Sequence, residues 1–353
     1  MRKRSVACDL EEILMQTMTV LRPFFHLVCL LGVGFATGPL YADVRVPEEY
    51  ESTGGHALAF GGSVASGLGG VSAVRANPAL IGLEREYSIN GTYHWPTAGR
   101  DFYQLGIIDG KTSSVAAGVT YTSAMDDYQG VSASRSSASS SGRSVLSVDS
   151  PIVRRGNLAI ASPVGGAFLG LSVGYIEARP PAESLSENDS KPNKSFTLGF
   201  GLASQLSKSV RLGISAENLA NKKIQYAAPT FYRAGLTYLF GDIGMLNLDY
   251  RRREAVSVYE GQVPSLALAE SDSKKSNQAE NLILGSAVVR VYDLLRVIAA
   301  VGQQYQAGES STRVAGGLSL VNQQFNLSYQ VMRPDMKHES VHHALALGLM
   351  MAM

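Results

Sequence analysis

Cysteine is nearly absent from this chain. Among 353 residues there are two, Cys8 and Cys29, both ahead of residue 43. The remainder can hold neither a disulfide framework nor a thiolate-ligated metal. Charge is scarce as well: Asp, Glu, Lys and Arg make up 17% of residues, against about 25% in a soluble domain. Basic and acidic residues number 31 and 30, so no excess of positive charge supports a nucleic-acid partner. Tryptophan occurs once. Long apolar runs are also missing after residue 43, where nothing reaches the ~18 consecutive apolar residues of a membrane-crossing helix. Without a G-x-y period or a sustained heptad, collagen and coiled coil are excluded.

What is plentiful is glycine and tyrosine. Gly accounts for 36 residues and Tyr for 16. Length alone would suggest two or three domains, but a Gly- and Tyr-rich chain with little charge also fits one large all-β barrel. At the N-terminus, Phe24 to Thr37 form an apolar run preceded by Arg22 and followed by small residues up to Ala42. The run is shorter than the ~20 residues of a spanning helix and has the layout of a secretory signal. Residues 1–42 are therefore expected to be removed, with Met15 or Met18 as alternative starts. Four basic residues (Arg2, Lys3, Arg4, Arg22) and three acidic ones (Asp9, Glu11, Glu12) leave with that segment, so the remaining chain carries equal numbers of each sign.

The dominant pattern beyond residue 43 is alternation with period 2, the signature of half-buried strands. Val210, Leu212, Ile214 and Ala216 share one face, and Arg211, Gly213, Ser215 and Glu217 the other. Leu246, Leu248 and Tyr250 oppose Asn247, Asp249 and Arg251. Phe325, Leu327, Tyr329 and Val331 oppose Asn326, Ser328, Gln330 and Met332. Fourteen strands are expected, at 87–95, 102–109, 114–124, 153–163, 167–178, 194–206, 209–217, 230–240, 245–253, 280–290, 294–306, 312–322, 325–333 and 342–352. Tight turns such as Gly165-Gly166 and Gly241-Asp242-Ile243-Gly244 alternate with longer polar loops, notably 125–152 and 254–279. An even strand count with short turns on one side and long loops on the other is the outer-membrane barrel pattern. A closed barrel also satisfies every backbone hydrogen bond in lipid. Tyr93, Trp95, Tyr175, Tyr238, Phe240 and Tyr250 fall near strand ends, where an aromatic girdle belongs.

Residues 53–83 do not alternate. They are Gly-rich and weakly apolar, with Arg75 as almost their only charge. A solvated linker would carry more charge and fewer residues such as Leu58, Phe60, Val71 and Leu80, so the segment reads as a plug packed inside the barrel. Gly-rich sequence followed by Asn77-Pro78-Ala79-Leu80, ahead of fourteen expected strands, resembles the FadL-type long-chain fatty acid transporters and their PorV-type relatives. The phrase Leu212 to Leu219 (LGISAENL) is similar to one common among those barrels. The resemblance implies an N-terminal hatch carrying Asn77, Pro78 and Ala79 inside a fourteen-stranded barrel. It also implies ligand entry from the exterior loops and release when the hatch shifts.

Enzymatic chemistry is not expected. His338-Glu339-Ser340-Val341-His342 matches the zinc-protease motif in letters, but that motif needs a helix. Here Pro334 precedes an alternating strand, where residues i and i+4 stand about 13 Å apart. His94, beside Trp95, reads as an interfacial polar side chain. Arg211, Arg233, Asp249, Arg251 and Arg313 fall on the inferred inner face, either paired with each other and the plug or lining an ion-selective pore. Inner glycines (Gly170, Gly174, Gly199, Gly213, Gly235, Gly317) leave room for a plug or ligand and argue against a wide empty porin.

The expectation is thus an all-β transmembrane antiparallel barrel of about 14 strands with an N-terminal plug in its lumen. Residues 1–42 form the signal peptide, 43–86 the periplasmic N-terminus and hatch, and 87–353 the barrel. No metal or cofactor is called for. By resemblance the barrel passes hydrophobic or amphiphilic, fatty-acid-like molecules passively across the outer membrane; the alternative is a non-transporting barrel that scaffolds a secretion or surface-attachment system. Its partners would be outer-membrane lipid, a hydrophobic small molecule, the barrel-assembly machinery and, in the alternative, a secreted or surface protein. N-terminal sequencing of the membrane-extracted protein should begin at or near Asp43, and an intact Met1 or Met18 would overturn the export reading.

Overall fold

Strands that alternate large apolar with small or polar residues need a partner on both edges, and here the last strand supplies the edge the first one lacks. The computed structural model describes residues 57–60, 65–67, 70–97, 101–124, 152–179, 193–220, 224, 228–255, 279–306, 308–322, 324–333 and 341–350. Among them run β1 (Tyr87–Pro96), β2 (Phe102–Asp109), β3 (Ala116–Ala124), β4 (Ile152–Val164), β5 (Ala167–Arg179), β6 (Asn193–Gln205) and β7 (Val210–Leu219). There follow β8 (Phe231–Leu239), β9 (Gly244–Arg253), β10 (Glu280–Arg290), β11 (Leu295–Gln306), β12 (Glu309–Val321), β13 (Phe325–Arg333) and β14 (His342–Met350). Each strand pairs antiparallel with its sequence neighbours, and β1 pairs with β14 from Ser88↔Met350 to Pro96↔His342. The result is a closed barrel of fourteen strands. No described helix is long and apolar enough to cross a membrane.

The alternation resolves into two opposite faces. Leu105, Val119, Leu158, Leu171, Leu248, Leu318 and Leu347 point outward and are each half-exposed. So large and continuous an apolar belt would be unstable in water and suits lipid. Aromatic rings cluster at the strand ends on the same outer face. Tyr93 stacks on Trp95 at 5.5 Å between centroids, Trp95 on His343 at 5.7 Å, and Tyr175 lies 5.3 Å from Phe196. The Tyr329 hydroxyl meets His343 Nδ1 at 2.8 Å. His343 therefore belongs to the girdle.

Among the described residues, strand limits differ from the sequence reading by two residues or more in three places. β3 begins at Ala116, because the Asp109 carboxylate accepts from the amides of Lys111 and Thr112 (3.1 and 3.0 Å) and holds the preceding segment in a turn. β12 begins at Glu309, since Gly308 at φ +78° permits a tight reversal that carries the ladder up to Gln306↔Glu309. This connection, on the long-loop end, is therefore short. β7 continues to Leu219 through a bulge. The connection from β1 to β2 on that end is also short, while β3 to β4 and β9 to β10 are the two longest connections, most of whose residues lie outside the described ones, as do residues 1–42. Gly165 and Gly166, both at positive φ, make the two-residue turn between β4 and β5.

The N-terminal segment lies against the inner wall. A 3₁₀ turn (Gly70–Ser72) leads into α1 (Ala73–Ala76); Asn77, Pro78 and Ala79 form a turn, and α2 (Leu80–Glu84) follows. Its apolar residues, including Phe60, Val71, Val74, Leu80 and Ile81, are buried together with inner-face Ile108, Ala159, Ala203 and Ile298. The wall makes room by omitting side chains. Gly170 pairs with Gly201 across β5 and β6, and Gly213 with Gly235 across β7 and β8. A Cβ at Gly170 would reach 2.8 Å from Ala79 Cα, and one at Gly235 would reach 2.8 Å from Ala65 Cβ. At Gly201 it would strike the Asn77 side chain and lie 2.9 Å from Pro78 Cδ. Gly317 likewise faces Ala59, whereas Gly174 and Gly199 are filled by wall side chains, Thr197 and Ser172 among them.

Valine at Gly201 should displace the hatch while the ladder of the barrel survives. Heat-modifiable migration of the purified protein should be retained, and protease cleavage within residues 57–84 should accelerate. Unchanged cleavage would show that hatch and wall do not pack this closely.

Candidate functional site

The site is the contact between hatch and wall, and Asn77 is its pivot. Pro78 disfavours helix at the residue before it, and Asn77 is extended (φ −152°, ψ 93°), which ends α1. Its side chain then works in three directions. Oδ1 accepts from the Ala79 amide at 3.2 Å, closing a local turn. Nδ2 donates to the Ala65 carbonyl at 2.6 Å and to the Leu202 carbonyl of β6 at 3.4 Å. One fully buried amide thus joins two stretches of the hatch to each other and to the barrel. Pro78 and Ala79 lie over the bare positions Gly170 and Gly201.

A second anchor is ionic. In β7, Ala216 pairs with Phe200 but Leu219 with Leu198, so the strand carries extra length at Glu217 and Asn218, with Asn218 at φ +60°. This bulge turns two consecutive side chains inward, which a regular strand cannot do; both are 1% exposed. Glu217 meets Arg75 of the hatch at 2.5 Å, Arg233 of β8 at 2.7 Å and Arg155 of β4 at 3.3 Å. Arg155 is aimed by Asn157 and by Asn218, both at 2.7 Å. Asn218 in turn donates to the Pro229 carbonyl at 2.7 Å. Arg233 also reaches the Ala76 carbonyl at 3.4 Å and lies over the Phe231 ring. Burying a carboxylate is costly, and its opposite charges and hydrogen bonds offset that cost.

Further contacts hold the start of the hatch. Asp249 accepts from the Ala65 amide at 3.1 Å, Ser66 meets Thr237 at 2.9 Å, and Gln330 accepts from the Ala59 amide at 3.0 Å. At the foot of the hatch, burial raises the Glu86 carboxyl above its ordinary range, partly offset by the hydrogen bond from Ser88 Oγ.

Of the inner-face residues singled out in the sequence, Arg233 and Asp249 touch the hatch. Arg251 pairs with Glu280 at 2.6 Å, which Arg253 also approaches at 3.3 Å, and Arg313 donates to Gln304 at 2.8 Å. These are contacts within the wall. Arg211 stands apart at the other end of β7, half-buried, between Gln205 and Thr237 in register. Glu217, Arg155, Asn218 and Glu280 were not singled out; the lone charge of Arg75 in an apolar segment was the available signal that a buried acid must await it. His94 is not interfacial. It faces the lumen, 2% exposed, stacked on Phe102 at 4.2 Å. His342 is the first residue of β14 and also faces inward, while residues 338–340 lie outside the described ones.

No protein-family model matches the chain, and no curated protein is significantly similar to it in sequence. Solved structures are similar in fold. The Ralstonia pickettii toluene transporter TbuX superposes with a TM-score of 0.54 at 13% identity, covering 85% of this chain and 98% of that one. The CymD monoaromatic hydrocarbon channel gives 0.52 at 14% identity, over 88% and 98%. A Pseudomonas aeruginosa FadL homologue gives 0.52 at 9% identity, over 90% and 99%. The chain therefore shares its barrel fold with these solved structures, a FadL homologue among them.

Glu217→Gln keeps the shape of the side chain but strands three guanidinium groups in a buried space. Its expected cost is about 3–5 kcal/mol, the usual penalty for breaking a buried ion cluster. It should be read as a lower temperature at which the purified barrel loses its folded migration. Lys194→Gln, whose exposed pair with Glu177 spans 3.8 Å, should leave that temperature nearly unchanged.

Proposed function

We propose that the protein is an outer-membrane channel for the passive passage of hydrophobic or amphiphilic small molecules. Export by a signal within residues 1–42 and insertion by the barrel-assembly machinery would bring it there. One observation carries the reading: near the long-loop ends of the strands, large apolar side chains stand on the inner face beside paired charges such as Arg251 and Glu280. Phe102, Val153, Ile176, Phe231, Leu282 and Met332 are all buried within the barrel mouth rather than turned to lipid. An aqueous pore has no use for such a lining, whereas an apolar solute crossing a polysaccharide-coated leaflet needs a sheltered one. Below it the hatch closes the way, and its anchors are a few discrete polar contacts, which can be exchanged. The named neighbours TbuX and CymD, a toluene transporter and a monoaromatic hydrocarbon channel, support the same solute class.

Asn77, Pro78 and Ala79 are assigned to control of passage, with Arg233 and Asp249 as wall contacts of the hatch. Arg211, Arg251 and Arg313 are assigned to the wall itself. The lumen charges are largely paired, which favours the structural reading over an ion-selective pore.

Asn77→Ala removes the buried amide and should weaken hatch anchoring by about 1–3 kcal/mol. Folded migration of the barrel should persist, because its stability comes from the closed ladder, while whole-cell uptake of a hydrophobic probe should change. Unchanged uptake of every probe, together with loss of a displayed surface protein, would favour the scaffold reading instead.

A further inference from the structure

Just above the hatch, the inner face of β1 to β3 carries buried polar atoms that have no hydrogen-bond partner among the described residues. His94 Nδ1 and Nε2, Gln104 Nε2 and Oε1, and Thr122 Oγ1 are all buried without a hydrogen-bond partner. The three side chains are 2%, 2% and 5% exposed. They come from three strands and converge. Gln104 faces Thr122 directly across β2 and β3, and Thr92 across β1 and β2. His94 lies two residues beyond Thr92 on the same face, within roughly 7–8 Å of Gln104 on the diagonal. In the other direction, Gly106, two residues from Gln104, and Gly118, four from Thr122, are the bare positions against which hatch residues Val71 and Val74 pack. The polar group thus sits on the mouth side of the hatch, with the Phe102 ring stacked on His94 as its apolar neighbour.

Unmet buried donors and acceptors are rare in native proteins, and each calls for a reason. Five such atoms on one patch of a lumen wall, beside an aromatic ring, are what a ligand site looks like before the ligand arrives. The chemistry of the set narrows the ligand. An imidazole, a carboxamide and a hydroxyl offer both donors and acceptors, and none of the three is a guanidinium, an ammonium or a carboxylate. We propose that this patch binds the uncharged hydroxyl or carbonyl group of an otherwise apolar molecule, such as a phenol or an alcohol. The pure hydrocarbon of the same shape leaves the polar atoms unmet and binds less well, since a site built for a hydroxyl discriminates strongly against the analogue lacking it. The proposal rests on the channel reading only for how the molecule reaches the patch.

The probes are 1-naphthol and naphthalene, measured by equilibrium dialysis against the full chain in lipid nanodiscs, with protein-free nanodiscs as the blank. The native protein should bind 1-naphthol at least tenfold more tightly than naphthalene. Gln104→Leu combined with Thr122→Val should bring that ratio close to one, and His94→Phe alone should lower it. A ratio near one in the native protein would overturn the proposal, and needs no variant to fold; it would mean that water alone fills the patch. A native preference that survives both variants would place the hydroxyl elsewhere and overturn it too. Uptake of naphthalene by whole cells tests the channel reading separately. Its absence would sink transport while leaving the dialysis ratio standing, and its presence with a ratio of one would sink only the site proposed here.

Discussion

A polypeptide in hydrocarbon has no water to satisfy its amides and carbonyls, and every other feature of this chain follows from that requirement. It is met by the seam between β1 and β14, the two strands furthest apart in sequence, paired over nine residues from Ser88 to Pro96. Once the sheet is closed, backbone polarity is removed from the outer surface and side chains alone decide what each face meets. Leucine, isoleucine and valine can then line the outside without an edge to aggregate through. Polar groups are confined to the inside, where they must find each other or a guest.

That confinement explains the uneven chemistry of the lumen. On the β4, β7 and β8 side, the bulge at Glu217 and Asn218 gathers a carboxylate, an amide and three guanidinium groups, one of them delivered by the hatch. On the β9 and β10 side, Arg251 and Arg253 close on Glu280. Both clusters are ion-paired within the protein. The patch of His94, Gln104 and Thr122 on β1 to β3 is different in kind: no ion pair or hydrogen bond joins its neutral polar groups. Charge in this barrel binds the protein to itself, and the uncharged groups of this one patch are left for something else.

Much of the fold was legible because its signals are local. A strand that crosses obliquely announces itself by alternation, as at Leu246 to Arg251, and turns such as Gly165-Gly166 announce themselves by residue type. The hatch was legible through composition and through Asn77-Pro78-Ala79, whose conformational demands are intrinsic to those residues. What could not be read was partnership across the lumen. Nothing near Glu217 in sequence indicates that Arg75 and Arg155, 142 and 62 residues away, will converge on it. The bulge that turns both Glu217 and Asn218 inward breaks the same alternation from which the inner face had been inferred. His94 was misplaced for a related reason: period 2 assigns a face only once the phase of that strand is known, and Gly91 and Thr92 do not mark it.

The paired glycines of β5 to β8 bear on what happens if the hatch withdraws. In an ordinary protein interior, a departing segment leaves side chains that relax into the vacancy and shrink it. Gly170 and Gly201, and Gly213 and Gly235, have nothing to relax. Their backbones are fixed by the ladder on either side, so the trough they form keeps its width. Space vacated along this stretch of wall would stay open to a solute instead of collapsing behind the retreating chain.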